Sequence, residues 1–270
     1  MSRLKDNDDF GARMKGYEAV ETERRLLPTL PVYARIDGRS FSRFTRGMEK
    51  PFDGRLLAAM IDTTAHLVQH THARIGYTQS DEISLVWLAD GDGSDIFFSG
   101  KVQKMVSVLA SMAAAKFATV CPAGFEGRLP HFDCRVFQLP TREEAANAFL
   151  WRAMDARKNG ISMIAQSRFS AKQLHGKDQK AMVQMLREIG VSLTEFPLAG
   201  RRGTFLQRRV VKRALTADEL AAIPEQHRPT EPVDRTVVEA IDMPEFNKVD
   251  NRVDVIFYGD RPLIRHSVAA

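Results

Sequence analysis

Between Val32 and Leu139 the hydrophobic period switches back and forth between that of a strand and that of a helix, and this alternation constrains the fold more than any other feature of the chain. Val32-Tyr33-Ala34-Arg35-Ile36-Asp37 is a short β-prone run ended by Gly38. Apolar or methyl-bearing residues then recur at helical spacing from Arg55 to His70, through Leu56, Leu57, Met60, Ile61, Thr64, Leu67 and Val68. Arg74 to Gln79 and Glu82 to Leu88 read as two strands joined tightly at Ser80-Asp81. Lys101 to Val120 is helical again, with Val102, Met105, Val106, Leu109, Met112, Ala113 and Phe117 on one face and Pro122 closing it. Phe132 to Leu139 reads as a strand before Pro140. Strand, helix, strand, strand, helix, strand is the split βαβ, or ferredoxin-like, unit. It predicts an antiparallel sheet with two helices on one face and the other face open for a substrate.

The flanks add to this core. Asp8 to Leu27 predicts an N-terminal helix stopped at Leu27-Pro28. Asp90-Gly91-Asp92-Gly93-Ser94 is a turn-rich loop. Thr141 to Glu144 carries a capping-box pattern and opens a helix to about Lys158, with shorter helical pieces at Ile161 to Ser167 and Asp178 to Ile189. Past Gly190, Arg201 to Arg213 is basic and β-prone, and Thr216 to Arg235 is polar and broken by three prolines. The whole reads as an α+β fold, a βαββαβ core over 1–140 with its N-terminal helix. Residues 141–270 form a helical and basic strand-and-loop region packed on that core.

Hydrophobic residues make up 44% and charged residues 27%, which suits a globular chain with a substantial core. No apolar run approaches the roughly 18 residues that span a bilayer, so no membrane partner is expected. Met1 to Phe10 is charged and lacks the apolar stretch of a signal peptide. Cys121 and Cys134 give no metal-ligand spacing and read as reduced thiols of a cytoplasmic protein. A net charge of +5 and a pI of about 9.3 favour a polyanionic partner without proving one.

Two acids gain meaning from the strand order. Asp37 ends the first strand, and Asp81, followed by Glu82, sits at the tip of the hairpin. The first and hairpin strands are sheet neighbours in this unit, so Asp37 and Asp81 converge. Close carboxylates repel unless a cation neutralises them, and Mg²⁺ is commonly held by one or two carboxylates plus substrate phosphates. Two such ions about 3.5–4 Å apart activate an attacking oxygen and stabilise a leaving one. Gly38 adds a backbone carbonyl and room for a phosphate. Either acid alone reads more readily as a cap or turn residue. Basic residues follow at useful places: Arg39, Arg43, Lys50, and the pair Lys101 and Lys104 at a helix start, where backbone N–H groups also favour phosphate. The alternative for Lys101 and Lys104 is a solvated helix face.

At these residues the sequence resembles the tRNA-His guanylyltransferase superfamily. The segments carrying the resemblance are Ala34 to Phe41, Glu49 to Asp53, Gly76 to Glu82, Phe132 to Arg135 and Trp151-Arg152. The resemblance implies a polymerase-palm catalytic core and a reverse polymerase that adds nucleotides to tRNA 5′ ends in the 3′-to-5′ direction. A nucleoside triphosphate, ATP or GTP, first activates the 5′-phosphate. The 3′-hydroxyl of the incoming nucleotide then attacks it and the activating group leaves. By position, Asp37 and Asp81 are then the catalytic metal carboxylates for two Mg²⁺ ions, with Gly38 as a further ligand and Glu82 as a supporting acid. Arg39, Ser40, Phe41, Lys50, Ser80, Lys101 and Lys104 fall to nucleotide and phosphate binding. The resemblance also implies a homo-oligomer, commonly a tetramer.

One departure bears on the task. Eukaryotic members carry His-Ile-Asn-Asn-Leu-Tyr-Asn after the core, whereas Arg157 to Met163 stands here. That change is similar to the bacterial and archaeal branch, which implies template-dependent repair of tRNA 5′ ends rather than dedicated addition of G to tRNA-His. Arg157 and Asn159 are the expected tRNA contacts in that stretch. Arg201, Arg202, Arg208, Arg209, Lys212 and Arg213 place six positive charges in thirteen residues, a density that can follow an RNA backbone. It also reads as a charged edge strand that discourages aggregation. A palm-type nucleotide cyclase and a non-catalytic RNA-binding module remain as competing functions. The long basic tail weighs against the first and the acid pair against the second.

Overall fold

The computed structural model describes residues 3–91, 93–121, 125 and 127–264, with side chains from residue 9 onward. Asp92 of the turn-rich loop and Pro122, the expected helix terminator, lie outside the described residues. The elements run α1 (Arg3–Thr22), β1 (Val32–Gly38), α2 (Phe41–Phe44), α3 (Gly54–Thr71), β2 (Ile75–Gln79), β3 (Glu82–Trp87), α4 (Val102–Thr119) and β4 (Phe132–Gln138). They continue as α5 (Arg142–Gln166), α6 (Ala171–Leu174), α7 (Gln179–Glu188), α8 (Leu198–Arg202), β5 (Thr204–Arg213), α9 (Ala217–Ala221), β6 (Val233–Ile241) and α10 (Arg252–Tyr258).

All the strands join one antiparallel sheet in the order β4-β1-β3-β2-β5-β6. The first four positions reproduce the order expected of a split βαβ unit. β5 then adds to the free edge of β2, so the C-terminal region extends the same sheet. One face packs on α3 and α4 through Ile36, Ile83, Leu85, Leu67 and Phe117.

The opposite face is not open, contrary to the sequence expectation. Tyr33, Tyr77, Val86 and Phe205 on that face are buried against Phe149 and Ala145 of α5 and Val255 and Ile256 of α10. Every residue of β2 and β3 is buried, polar Thr78, Gln79, Glu82 and Ser84 included, so a layer covers each face of these strands.

Two further differences concern α5 and the tail. The helix expected to stop near Lys158 runs through Gly160 to Gln166, and Thr141 caps it by accepting from the Glu144 N–H at 3.1 Å. Gly160 serves packing rather than termination: a Cβ there would lie 3.0 Å from the Arg201 carbonyl oxygen. The last 80 residues contain α8, α9 and α10 besides strands.

Candidate active site

β1 and β3 run antiparallel, with Asp37 directly opposite Glu82. The chain turns from β2 into β3 through Ser80, whose backbone is left-handed (φ 51°), and Asp81. The turn is clipped to the end of β1 by the Gly38 N–H, which donates to the Asp81 carbonyl at 3.0 Å. Asp37 and Asp81 therefore meet at one end of the sheet, as the strand order predicts. A Cβ on Gly38 would lie 2.3 Å from the Phe41 ring and 2.8 Å from the Asp81 carboxylate. Only glycine lets that carboxylate close against β1.

Both acids line a cavity of about 520 Å³. Gly38, Ser40, Phe41, Lys50 and Ser80 line it as well, so most of the expected nucleotide-binding residues are brought together there. Phe52 and Leu56 give it an apolar wall, and Asn159, Gly160 and Met163 of α5 close the far side. Asp53 shapes the loop that carries Lys50: its carboxylate accepts from the backbone N–H groups of Glu49 (3.1 Å) and Arg55 (2.9 Å) and from the Arg55 guanidinium. Those bonds hold the Asp53 carboxyl far below the usual carboxylate range.

Burial, and then the negative charge of Asp37, push the Asp81 carboxyl up to about 6. Such a shift marks a pair short of a countercharge. Two carboxylates facing a polar, cavity-lining turn are a donor set suited to Mg²⁺ completed by phosphate oxygens. Among the described residues no cluster of three or more His, Cys, Asp or Glu is arranged to hold a metal ion.

Glu82 sits behind this pair, 5% exposed, with both carboxylate oxygens held by Arg152 of α5 at 2.6 Å. Arg152 also donates to Asp155 at 3.1 Å, and the Asn159 amide donates to the same Asp155 oxygen at 3.3 Å. Burial raises the Glu82 carboxyl in spite of this pairing. Sequence reasoning gave Arg152 no role. Its signal was available: Ala145, Phe149, Arg152 and Ala156 form one buried stripe of α5, and a charge on such a stripe needs a partner. Arg35 and Arg135 were also passed over. They oppose each other across β1 and β4 on the Asp37 side of the sheet.

Other expected residues do not reach the cavity. Lys101 and Lys104 begin α4 at the opposite end of the sheet, where Lys101 bridges Arg25 and Lys104 lies over the Phe98 ring. β3 leads away from the hairpin tip, so the helix after it starts a strand's length off, roughly 20 Å. Arg39 is exposed, points no side chain into the cavity lining, and uses its N–H to bond the His131 carbonyl.

The six-charge basic run is likewise divided. Arg201 and Arg202 lie on α8 beside Arg157 of α5, near the site, with Glu245 among them. Arg208 to Arg213 continue past β2 on a two-stranded ribbon toward the other end. On that ribbon Arg213 is paired with Glu219 and Arg209 donates to Gln207. Arg208 and Lys212 face the other way and are exposed.

Known proteins resemble this chain in sequence and in fold. Residues 11–140 match the family described as Thg1, tRNAHis guanylyltransferase. A bacterial tRNA(His) guanylyltransferase (Thg1)-like protein solved in complex with ATP is 33% identical, with a TM-score of 0.77 over 92% of this chain and 99% of that one. A bacterial Thg1-like protein solved with GTP is 31% identical, with a TM-score of 0.70 over 89% and 94%. The tRNA(His) guanylyltransferase of Schizosaccharomyces pombe is 32% identical over 55% of this chain and 56% of its own. The chain belongs to the Thg1 family, the tRNA-His guanylyltransferases and their relatives, and is a nucleotidyltransferase of that family.

Proposed function

We propose that this protein extends the 5′ ends of tRNA in the 3′-to-5′ direction against the opposite strand as template, using two metal ions on a polymerase-palm core. The observation that carries the reading is the meeting of Asp37 and Asp81 on the wall of a nucleotide-sized cavity that also holds Lys50 and Ser80. The Thg1-like proteins solved with ATP and with GTP support a nucleotide in that cavity.

In this reading the tRNA 5′-phosphate attacks the α-phosphorus of a bound triphosphate and pyrophosphate leaves. The 3′-hydroxyl of an incoming nucleotide then attacks the activated 5′-phosphorus, a phosphodiester forms, and the activating monophosphate leaves. Asp37, Asp81 and the Gly38 carbonyl would hold Mg²⁺, which would supply positive charge for the displacements. Lys50 and Ser80 meet triphosphate oxygens, and the Phe52 and Leu56 wall receives the base. Arg35 and Arg135, with Asp133 beside Arg135, and Arg157, Arg201 and Arg202 beyond α5 give a polyanionic RNA end two places to settle. The departure from the eukaryotic pattern at Arg157 to Met163 favours repair over dedicated tRNA-His maturation, and family resemblance supports a tetramer.

The deciding assay supplies 5′-truncated tRNA, ATP and the four nucleoside triphosphates. Template-matched extension is expected on several tRNAs. Addition of G to tRNA-His alone would return the reading to guanylylation, and a cyclic nucleotide formed without RNA would replace it by the cyclase.

A further inference from the structure

Asp37, Asp81 and Glu82 stand together at the hairpin end of the sheet, with Asp133 opposite Asp37 on β4 and paired with Arg135 at 3.7 Å, yet the first three are not equivalent. Asp37 and Glu82 are directly opposed across β1 and β3, so their side chains leave the same face of the sheet, with Cβ atoms about 5 Å apart. Asp81 is the next residue. Glu82 has the longer side chain and is close enough for its charge to act on Asp81 and to feel Asp37. A three-carboxylate cage would therefore be within reach of this backbone. It does not form, because Arg152 grips both Glu82 oxygens at 2.6 Å in a fork-to-fork pair with 5% and 7% of the two residues exposed. Such bidentate pairs fix orientation as well as charge. Asp155 braces the guanidinium from the other side at 3.1 Å.

We infer that Arg152 is a positioning residue that withholds Glu82 from the metal, keeping the site at two carboxylates so that the remaining coordination positions stay open for triphosphate oxygens. The inference rests on the metal assignment of Asp37 and Asp81 proposed above. Mg²⁺ sites that work on phosphates use one or two carboxylates and leave the rest of the octahedron to water and substrate, whereas more carboxylates make a closed, tighter, less substrate-dependent site. Without Arg152, Glu82 would be an uncompensated charge one residue from a cation, free to ligate it.

The sign of the effect separates this role from simple support of the fold. Mn²⁺ binding is measured by electron paramagnetic resonance on the whole protein, with and without a non-hydrolysable ATP analogue. Wild type is expected to bind Mn²⁺ weakly alone and far better with the analogue. Arg152→Met is expected to bind Mn²⁺ alone on the order of tenfold more tightly, since affinity follows the number of charged ligands, and to lose most of the enhancement by nucleotide. The double variant Arg152→Met/Glu82→Gln, which removes the buried charge as well as its partner, is expected to return to weak, nucleotide-dependent binding. If Arg152→Met does not fold, Arg152→Lys, which offers a single point of contact, is expected to show the same direction at smaller size.

Weaker Mn²⁺ binding in the folded Arg152 variants, or tightening that survives in the double variant, overturns the inference and leaves Arg152 as a structural partner only. Nucleotide-dependent Mn²⁺ binding in wild type that is unaffected by Asp37→Ala would instead overturn the metal assignment itself, so the two failures are distinct.

Discussion

Both ends of the sheet carry charged side chains but match them differently. At the far end, Arg74 pairs with Asp90, and Arg213 forms two 2.7 Å bonds to Glu219. At the hairpin end, Asp37 and Asp81 line a cavity shared with Lys50, and Arg35 and Arg135 lie side by side with Asp133 3.7 Å from Arg135. Glu82 and Arg152 are matched there in a buried pair, and Asp133 with Arg135 and Asp53 with Arg55 are matched nearer the surface. Charges closed within the chain describe structure. Charges left open at one place describe what the chain binds, because like charges held together lower stability until a counterion arrives.

The strongest test of that contrast removes an open charge. Asp37→Ala or Asp81→Ala is expected to reduce nucleotide addition by about a thousandfold or more, the several kcal/mol that metal-borne charge stabilisation supplies. Neither change should lower the melting temperature of the metal-free protein. Single-turnover extension of a labelled truncated tRNA reads the first effect and calorimetry the second. Near-normal addition by either variant would mean that these open acids are not the metal site.

The next largest effect compares the matched pairs. Arg152→Met strands a buried carboxylate and is expected to cost about 3–5 kcal/mol in urea unfolding. Arg213→Ala breaks a pair at the protein surface and should leave the urea midpoint nearly unchanged. Equal losses would remove the distinction between a buried clamp and a surface pair on which the reading of Glu82 depends.

How much of this was legible beforehand follows from the same distinction. The alternation from Val32 to Leu139 yields the strand order, and the strand order alone brings Asp37 to Asp81. Nothing in that pattern says what lies on the second face of the sheet. The full burial of β2 and β3 and the apolar stripe Ala145, Phe149 and Ala156 pointed to α5, yet helix and strand partners separated by 60 residues are matched by packing rather than by local signals. Lys101 and Lys104 show the converse. Their charge and helix-start position suggested phosphate, and the direction of β3 puts them at the wrong end of the sheet. The basic run from Arg201 to Arg213 is dense in sequence but divided in space, because α8 turns beside the site and β5 then runs away from it.

The smallest expected effect is a proton effect, and its sign is opposite to the common one for carboxylates. In the unfolded chain Asp81 titrates near 3.8, whereas in the fold burial and the Asp37 charge push it up to about 6. Between those values the folded protein holds a proton that the unfolded chain has released. Stability attributable to this group is therefore present at low pH and falls as pH rises from about 3.8 through about 6. Asp81→Asn cannot ionise, so in metal-free buffer it should melt higher than wild type at pH 7 and at nearly the same temperature at pH 4. Added Mg²⁺ should raise the wild-type melting temperature at pH 7, leave the variant almost unmoved, and lose its effect on wild type as protons displace it below about pH 6. Melting curves at both pH values, with and without Mg²⁺, read all three. A variant that gains nothing at pH 7 would show that Asp81 is already matched within the chain, and would place the hairpin end with the closed charges of the far end.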